Sequence, residues 1–98
     1  MSHLKFTRSA REDLKDIGKY TARVWGGDQR KKYLASIMAR CHWLAENPGL
    51  GIMRNEIKEG YRSYPEGQHV IFFRVVKNEV QILRIPHQRM DVIQALDE

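Results

Sequence analysis

Residues 69–85 read H-V-I-F-F-R-V-V-K-N-E-V-Q-I-L-R-I, and the fold turns on them. Two β-rich runs, His69–Val76 and Glu79–Ile85, flank a turn-sized Lys77-Asn78, the pattern of an antiparallel hairpin. Val70 to Val76 is apolar on both faces apart from Arg74, which places this strand centrally in a sheet. A third run, Gly60–Tyr64, precedes it across the break Pro65-Glu66-Gly67, so the second half reads as a three-stranded meander closed by Pro86.

Upstream, the period changes. Ala10, Leu14, Ile17, Thr21 and Val24 recur at steps of four and three, which is one face of a helix. Ser9 opens S-A-R-E, a capping-box pattern in which Glu12 answers the Ser9 amide. Trp25-Gly26-Gly27 stops that helix, and Asp28 is the expected cap of a second. Its stripe is Leu34, Ile37, Met38, Cys41, Leu44 and Ala45, and Asn47-Pro48-Gly49 ends it. Residues 3–7 form a short strand with Leu4 and Phe6 on one face, at a place in the sheet that pattern leaves open. Met90, Ile93 and Leu96 give the inner face of a short C-terminal helix. The expected fold is therefore a single α+β domain over residues 1–98: an N-terminal strand, then an antiparallel helical hairpin packed on a small, mainly antiparallel sheet.

Composition narrows the function classes. The chain has 98 residues, 42% hydrophobic and 30% charged, enough for a modest core and unlike a disordered segment. Its 17 Lys and Arg against 12 Asp and Glu give +5, which favours an acidic partner. No apolar run approaches the ~20 residues of a membrane span, and no signal-peptide core is present, so a reducing cytoplasm is the expected location. Cys41 is the one cysteine and lies on an apolar helical stripe, as a core residue does.

Catalytic patterns are sparse. His3, His42, His69 and His87 make no metal-ligand spacing with each other or with Cys41, and Gly49-Leu50-Gly51 follows a helix rather than a strand, unlike a phosphate loop. Ser9, Ser36 and Ser63 lack a nucleophile-elbow context. Two features carry charge in a pattern. Arg11, Lys15, Lys19 and Arg23 form a ridge along the first helix, readable as a track for phosphates or as a solvated face paired to Glu12, Asp13 and Asp16. Arg30-Lys31-Lys32 begins the second helix, where the dipole disfavours cations. The second feature is the segment from Arg84 to Asp91. His87 and the arginines there read either as acid–base and phosphate-binding groups, with Arg62 and Arg74 converging, or as a structural Arg84–Asp91 ion pair.

The motifs resemble one family in order and almost end to end. A-x-x-D-L-x-x-I-x-x-Y (Ala10 to Tyr20), Trp25-Gly26 and Tyr33 are similar to the first half of a ParE-type toxin. L-A-E-N-P-G-L-G (Leu44 to Gly51), G-Y-R (Gly60 to Arg62), H-V-I-F-F-R (His69 to Arg74) and I-L-R-I-P-H-Q-R-M-D (Ile82 to Asp91) resemble the rest. Cys41 departs from the pattern, standing where relatives often carry a bulky aromatic, with Trp43 to compensate in volume.

The resemblance implies a toxin of the RelE/ParE superfamily, part of a type II toxin–antitoxin pair, that blocks replication by poisoning DNA gyrase and is silenced by a ParD-like antitoxin in a hetero-oligomer. No cofactor or metal is implied. The superfamily's other branch cuts messenger RNA on the ribosome. Arg62 matches that branch, but Gln88 and Gln94 fall near its arginine and tyrosine, and an amide supplies neither a cation nor a titrating group. A non-enzymatic inhibitor is therefore expected. Arg84, His87, Arg89, Met90 and Asp91 are the expected target-inhibiting patch, and Leu14, Trp25, Tyr33 and Ile37 with Arg11, Lys15 and Lys19 the expected antitoxin contacts. The alternatives are a messenger ribonuclease using Arg62, His87 and Arg89, and a nucleic-acid-binding domain using the ridge.

Overall fold

The computed structural model describes residues 3–90. Along the chain come β1 (His3–Phe6), α1 (Arg8–Trp25), α2 (Gly27–Glu46), a 3-10 turn (Pro48–Leu50), β2 (Ile52–Met53), β3 (Arg62–Glu66), β4 (His69–Val76) and β5 (Glu79–Arg84). One sheet holds the strands in the order β1-β5-β4-β3-β2. β1 lies parallel to β5, and the other neighbours are antiparallel. The first strand thus inserts beside the last, with the helical hairpin between them in sequence.

The core forms between that hairpin and one face of the sheet. Ile17, Ile37, Cys41 and Leu44 from the helices meet Ile71, Phe73, Val80 and Ile82 from the strands. β4 is central as its two apolar faces require: Ile71, Phe72 and Phe73 are all 0% exposed. Phe72 stands outside that cluster, with the Arg54 guanidinium 5.3 Å from its ring centre. Cys41 is sealed in the core, and burial, aided by the Glu66 charge, pushes its thiol up to about 12, so it is packing rather than a nucleophile.

Several boundaries differ from the pattern reading. α1 starts at Arg8, and its cap is Thr7 rather than Ser9: the Ala10 amide donates to Thr7 Oγ1 at 3.1 Å. Glu12 pairs with Arg8 at 3.4 Å instead of closing a capping box. Asp28 does not cap α2; Gly26 occupies that position at φ 95°, a left-handed conformation that suits the sharp reversal between helices. Val24 lies off the inner stripe and is 47% exposed. Pro65 and Glu66 are not a turn but the end of β3, paired with Val70 and His69. β2 spans only Ser63 and Arg62, so Pro65 has no neighbour on its other side to miss an N–H. β2 itself, two residues long, carries no periodic signal. Of the expected C-terminal helix only Met90 falls within the described residues.

The junction of α1 with β5 organises the rest. β4 and β5 slip register at Phe72/Phe73, where Arg84 opposes Phe72 and Ile82 opposes Phe73, leaving Leu83 as the extra residue. Its carbonyl accepts from the Thr7 hydroxyl at 2.8 Å, so one side chain both caps α1 and satisfies the bulge. Thr7→Ala should therefore cost about 1–2 kcal/mol, while Thr7→Ser and Ser9→Ala stay within about 0.5 kcal/mol of the parent. Urea unfolding monitored by circular dichroism checks this, and an equal loss for Ser9→Ala would return the cap to Ser9.

Candidate functional site

One turn further along α1, Asp13 continues the same junction. Its carboxylate receives Arg84 Nε at 2.8 Å and Nη2 at 3.1 Å, and the Ile85 amide donates to the same group at 2.8 Å. Both side chains are about 85% buried, being 15% and 16% exposed, so the pair is bidentate and shielded. Arg84 is thus tied to Asp13, and through it seats the end of β5 against α1. Asp91 lies outside the described residues.

Beyond Ile85 the chain is stitched to the start of β4. The Val70 amide donates to the Pro86 carbonyl at 3.0 Å, and the Gln88 amide to the Gln68 carbonyl at 2.8 Å. The two glutamine side chains clasp one another, Gln88 Nε2 to Gln68 Oε1 at 2.8 Å. His87 bridges His69 across this pairing, and the Met90 amide closes a turn onto the His87 carbonyl at 2.9 Å. The Arg89 amide donates to His87 Nδ1 at 3.2 Å. The outcome is a fixed turn from which Arg89 and Met90 project into solvent, Met90 being 47% exposed.

Tyr33 of α2 braces that turn from beneath. Its Oη lies 2.6 Å from His69 Nδ1 and accepts from the Gln68 amide at 3.0 Å. The phenol proton has two acceptors in reach, His69 Nδ1 and, at 3.4 Å, the Glu66 carbonyl, so the short contact to His69 is a hydrogen bond in either neutral tautomer. The ring presses on Gly67, where a Cβ would lie 2.5 Å from Tyr33 Cε1 and φ is 59°, so glycine is required twice over. Burial raises the Tyr33 phenol above its ordinary value. Burial, with help from neighbouring His87 and against the pull of Asp13, pushes His69 down to about 4. His69 is therefore neutral near neutral pH.

Between this turn and α1 opens a groove of about 920 Å³, walled by Tyr20 and Trp25 on one side and by Tyr33, His69, His87 and Met90 on the other. Trp25 is 70% exposed and Tyr20 55%, large apolar surface for so small a domain.

The expected site residues separate accordingly. His87, Arg89 and Met90 do cluster, and Trp25 and Tyr33 join them on the groove. Leu14 packs against the core, and Ile37, 0% exposed, leaves no surface for a partner, so it drops out of the expected contacts. Arg11, Lys15 and Lys19 are exposed but do not line the groove. Arg62 does not converge on His87. It opposes Phe73 and donates to the Pro48 carbonyl at 2.8 Å, whereas His87 opposes His69. Four residues of β4 separate the two positions, about 13 Å. Arg74 is farther along the same strand, bonded to Gln81 at 2.9 Å. The ribonuclease constellation is thus not assembled.

Sequence reasoning missed Gln68, His69 and Asp13 as site-forming groups. Asp13 had a signal, since its helical position borders the Ala10–Ile17 stripe. The Gln68–Gln88 clasp had none. No group of three or more His, Cys, Asp or Glu able to hold a metal occurs among the described residues, and none of their helices is long and apolar enough to cross a membrane.

Because His69 is held near 4 against 6.5 unfolded, the unfolded chain takes up a proton that the folded chain refuses. This contribution to stability is complete above about pH 6.5 and is lost as pH falls toward 4. His69→Asn, which keeps an acceptor for Tyr33 without titrating, should flatten that part of the curve. Urea midpoints at pH 7 and pH 5 measure it, and parallel curves for the two proteins would rule out the buried neutral imidazole.

The comparisons with known proteins agree with this architecture. A family model described as the ParE toxin of the type II toxin-antitoxin system, parDE, matches residues 4–92. Toxin ParE1 of Caulobacter vibrioides is 36% identical over 91 residues, covering 93% of this chain and 94% of that protein. Toxin ParE1 of Mycobacterium tuberculosis is 36% identical over 85 residues, 86% of this chain and 87% of that protein. Among solved structures, a chain of the chromosomal ParDE TA system from P. aeruginosa superposes with a TM-score of 0.77 at 29% identity, over 89% of this chain and 96% of that one. A chain of the RelBE2 toxin–antitoxin complex from Mycobacterium tuberculosis, with a TM-score of 0.63 at 23% identity over 89% and 98% of the two chains, shares the fold.

Proposed function

This chain belongs to the ParE toxins of type II toxin–antitoxin systems, and from that premise we propose that it inhibits DNA gyrase by binding, through the turn that presents His87, Arg89 and Met90. The observation that carries this reading is the contrast within that turn. Its backbone is tied to β4 by the Val70–Pro86 and Gln68–Gln88 bonds, while Arg89 and Met90 stand free in solvent. Such preorganisation lowers the ordering cost of a protein contact, and an exposed Arg beside an exposed Met is the composition of an interface anchor. Arg84 positions the turn and does not touch the target.

A ParD-like antitoxin silences the toxin by laying an amphipathic segment along the adjoining groove. Trp25, Tyr20 and Tyr33 supply apolar and aromatic surface for its anchors, and Arg89 and His87 at the rim meet its acidic positions. Occupying the groove covers the turn as well, so neutralisation and target exclusion are one event. The ParE1 relatives are toxins by name, and the P. aeruginosa chain comes from a toxin–antitoxin system, which supports an antitoxin for this chain.

Purified protein should inhibit gyrase supercoiling of relaxed plasmid and leave ribosome-bound message uncut. Arg89→Glu combined with Met90→Glu, both exposed positions, should raise the concentration for half-inhibition at least about tenfold with circular dichroism unchanged. Undiminished inhibition by that variant removes the turn from the target contact. Cleavage of message with gyrase untouched replaces the gyrase reading altogether.

A further inference from the structure

The ridge along α1 faces away from the groove and is explained neither by the core nor by the proposed antitoxin seat. Arg11, Lys15, Lys19 and Arg23 are all exposed. Of the three acids spaced to neutralise them, Glu12 pairs with Arg8 and Asp13 with Arg84. Exposed Asp16, at the groove side, forms no ion pair with the ridge among the described residues. Lys15 and Lys19 make no ion pair among the described residues. Arg11 spends one N–H on the Phe6 carbonyl and Arg23 lies 5.6 Å from the Tyr20 ring centre, which leaves most of both guanidinium groups available.

A fifth cation joins them from α2. Arg30 reaches across the hairpin so that its Nε lies 3.0 Å from where a Cβ on Gly18 would stand, beside Lys19. This gives Arg30 the role that the helix dipole denied it. Cations at four-residue steps recur about every 6 Å and extend over about 18 Å of helix. The remaining outward positions in that stretch are Glu12, already paired, Ala22, and Asp16 at the edge toward the groove, so the surface is predominantly basic and carries no large apolar side chain. Protein interfaces are anchored by buried apolar and aromatic groups, which this face lacks. A polyanion needs none. Duplex DNA carries about one charge per 1.7 Å of axis, about ten over the length of the ridge, with condensed counterions to release.

We propose that this outer face of the helical hairpin, formed by Arg11, Lys15, Lys19, Arg23 and Arg30, docks on the sugar-phosphate backbone of duplex DNA without reading sequence. The toxin then meets DNA with one face and protein partners with the opposite edge of α1. The ridge does not depend on the gyrase reading, because naked DNA tests it.

The full-length protein is titrated into a fluorescent 30-base-pair duplex of arbitrary sequence at 50 to 200 mM NaCl. Five phosphate contacts predict a log–log salt slope of about −4.5, and so a loss of affinity of about 500-fold across that range. Changing Arg11, Lys15, Lys19 and Arg23 together to Gln should bring the slope close to −1, while gyrase inhibition, read separately, reports on the turn after β5. Should the fourfold variant fail to fold, Lys15→Gln with Lys19→Gln should still lower the slope by about one per residue. Absent binding at 50 mM NaCl, or a slope unchanged by the substitutions, overturns the assignment. So does equal affinity for poly-L-glutamate, which makes the ridge a seat for acidic polypeptide instead.

Discussion

The carboxylate of Asp13 positions the proposed binding surface. It faces the sheet rather than solvent, and there it takes both the Arg84 guanidinium and the Ile85 amide. A bidentate, shielded pair of this kind is unforgiving, because removing either partner takes away the opposite charge that offsets the burial of the other. The interaction fixes the distance between α1 and the end of β5, and that distance is the mouth of the groove. Thr7 repeats the coupling one turn earlier, where its hydroxyl serves the helix and the β5 bulge together. Helix and sheet are thereby locked at one edge and free to diverge at the other, where Tyr20 and Trp25 are left uncovered.

The second constraint works from beneath. Tyr33 accepts from the Gln68 amide and hydrogen-bonds His69, an imidazole that burial keeps neutral. The turn after Pro86 inherits this rigidity through backbone pairing rather than through its own side chains. Its side chains are therefore spared for contact. Position is supplied by Asp13, Tyr33 and the glutamine clasp, and chemistry at the surface by His87, Arg89 and Met90, a division that suits a protein acting by binding.

Much of the fold was legible because its periodicities are clean. His69–Val76 is the strand that its two-sided apolar run requires, and the stripe of α2 is buried at Ile37, Cys41, Leu44 and Ala45. What escaped is what periodicity does not encode. Ser9 and Thr7 are both competent caps, and only the bulge carbonyl of Leu83 makes Thr7 the better one. Pro65 resembles a turn residue until the shortness of β2 leaves its nitrogen unopposed. At the site, the cluster of His87, Arg89 and Met90 was readable as a dense segment, and Trp25 and Tyr33 as aromatics of a recurring motif. Ile37 was not separable from them, because an apolar residue on a helical stripe looks the same whether it faces a core or a partner. Arg84 and Arg62 were ambiguous for a related reason: a charge at a strand end signals either a ligand or a tether, and the partner that decides is distant in sequence.

The groove beside the Pro86–Met90 turn is the proposed working surface of the toxin, shut when an antitoxin lies in it. Trp25 reports on this directly, since the chain has two tryptophans and Trp43 packs against the core beside Tyr64. In a Trp43→Phe protein, the emission of Trp25 is read as a ParD-like antitoxin lacking tryptophan is added. A blue shift at stoichiometric antitoxin, with protection from iodide quenching, is the predicted result. A tight complex that leaves Trp25 emission and quenching unchanged would place the antitoxin elsewhere and contradict the account.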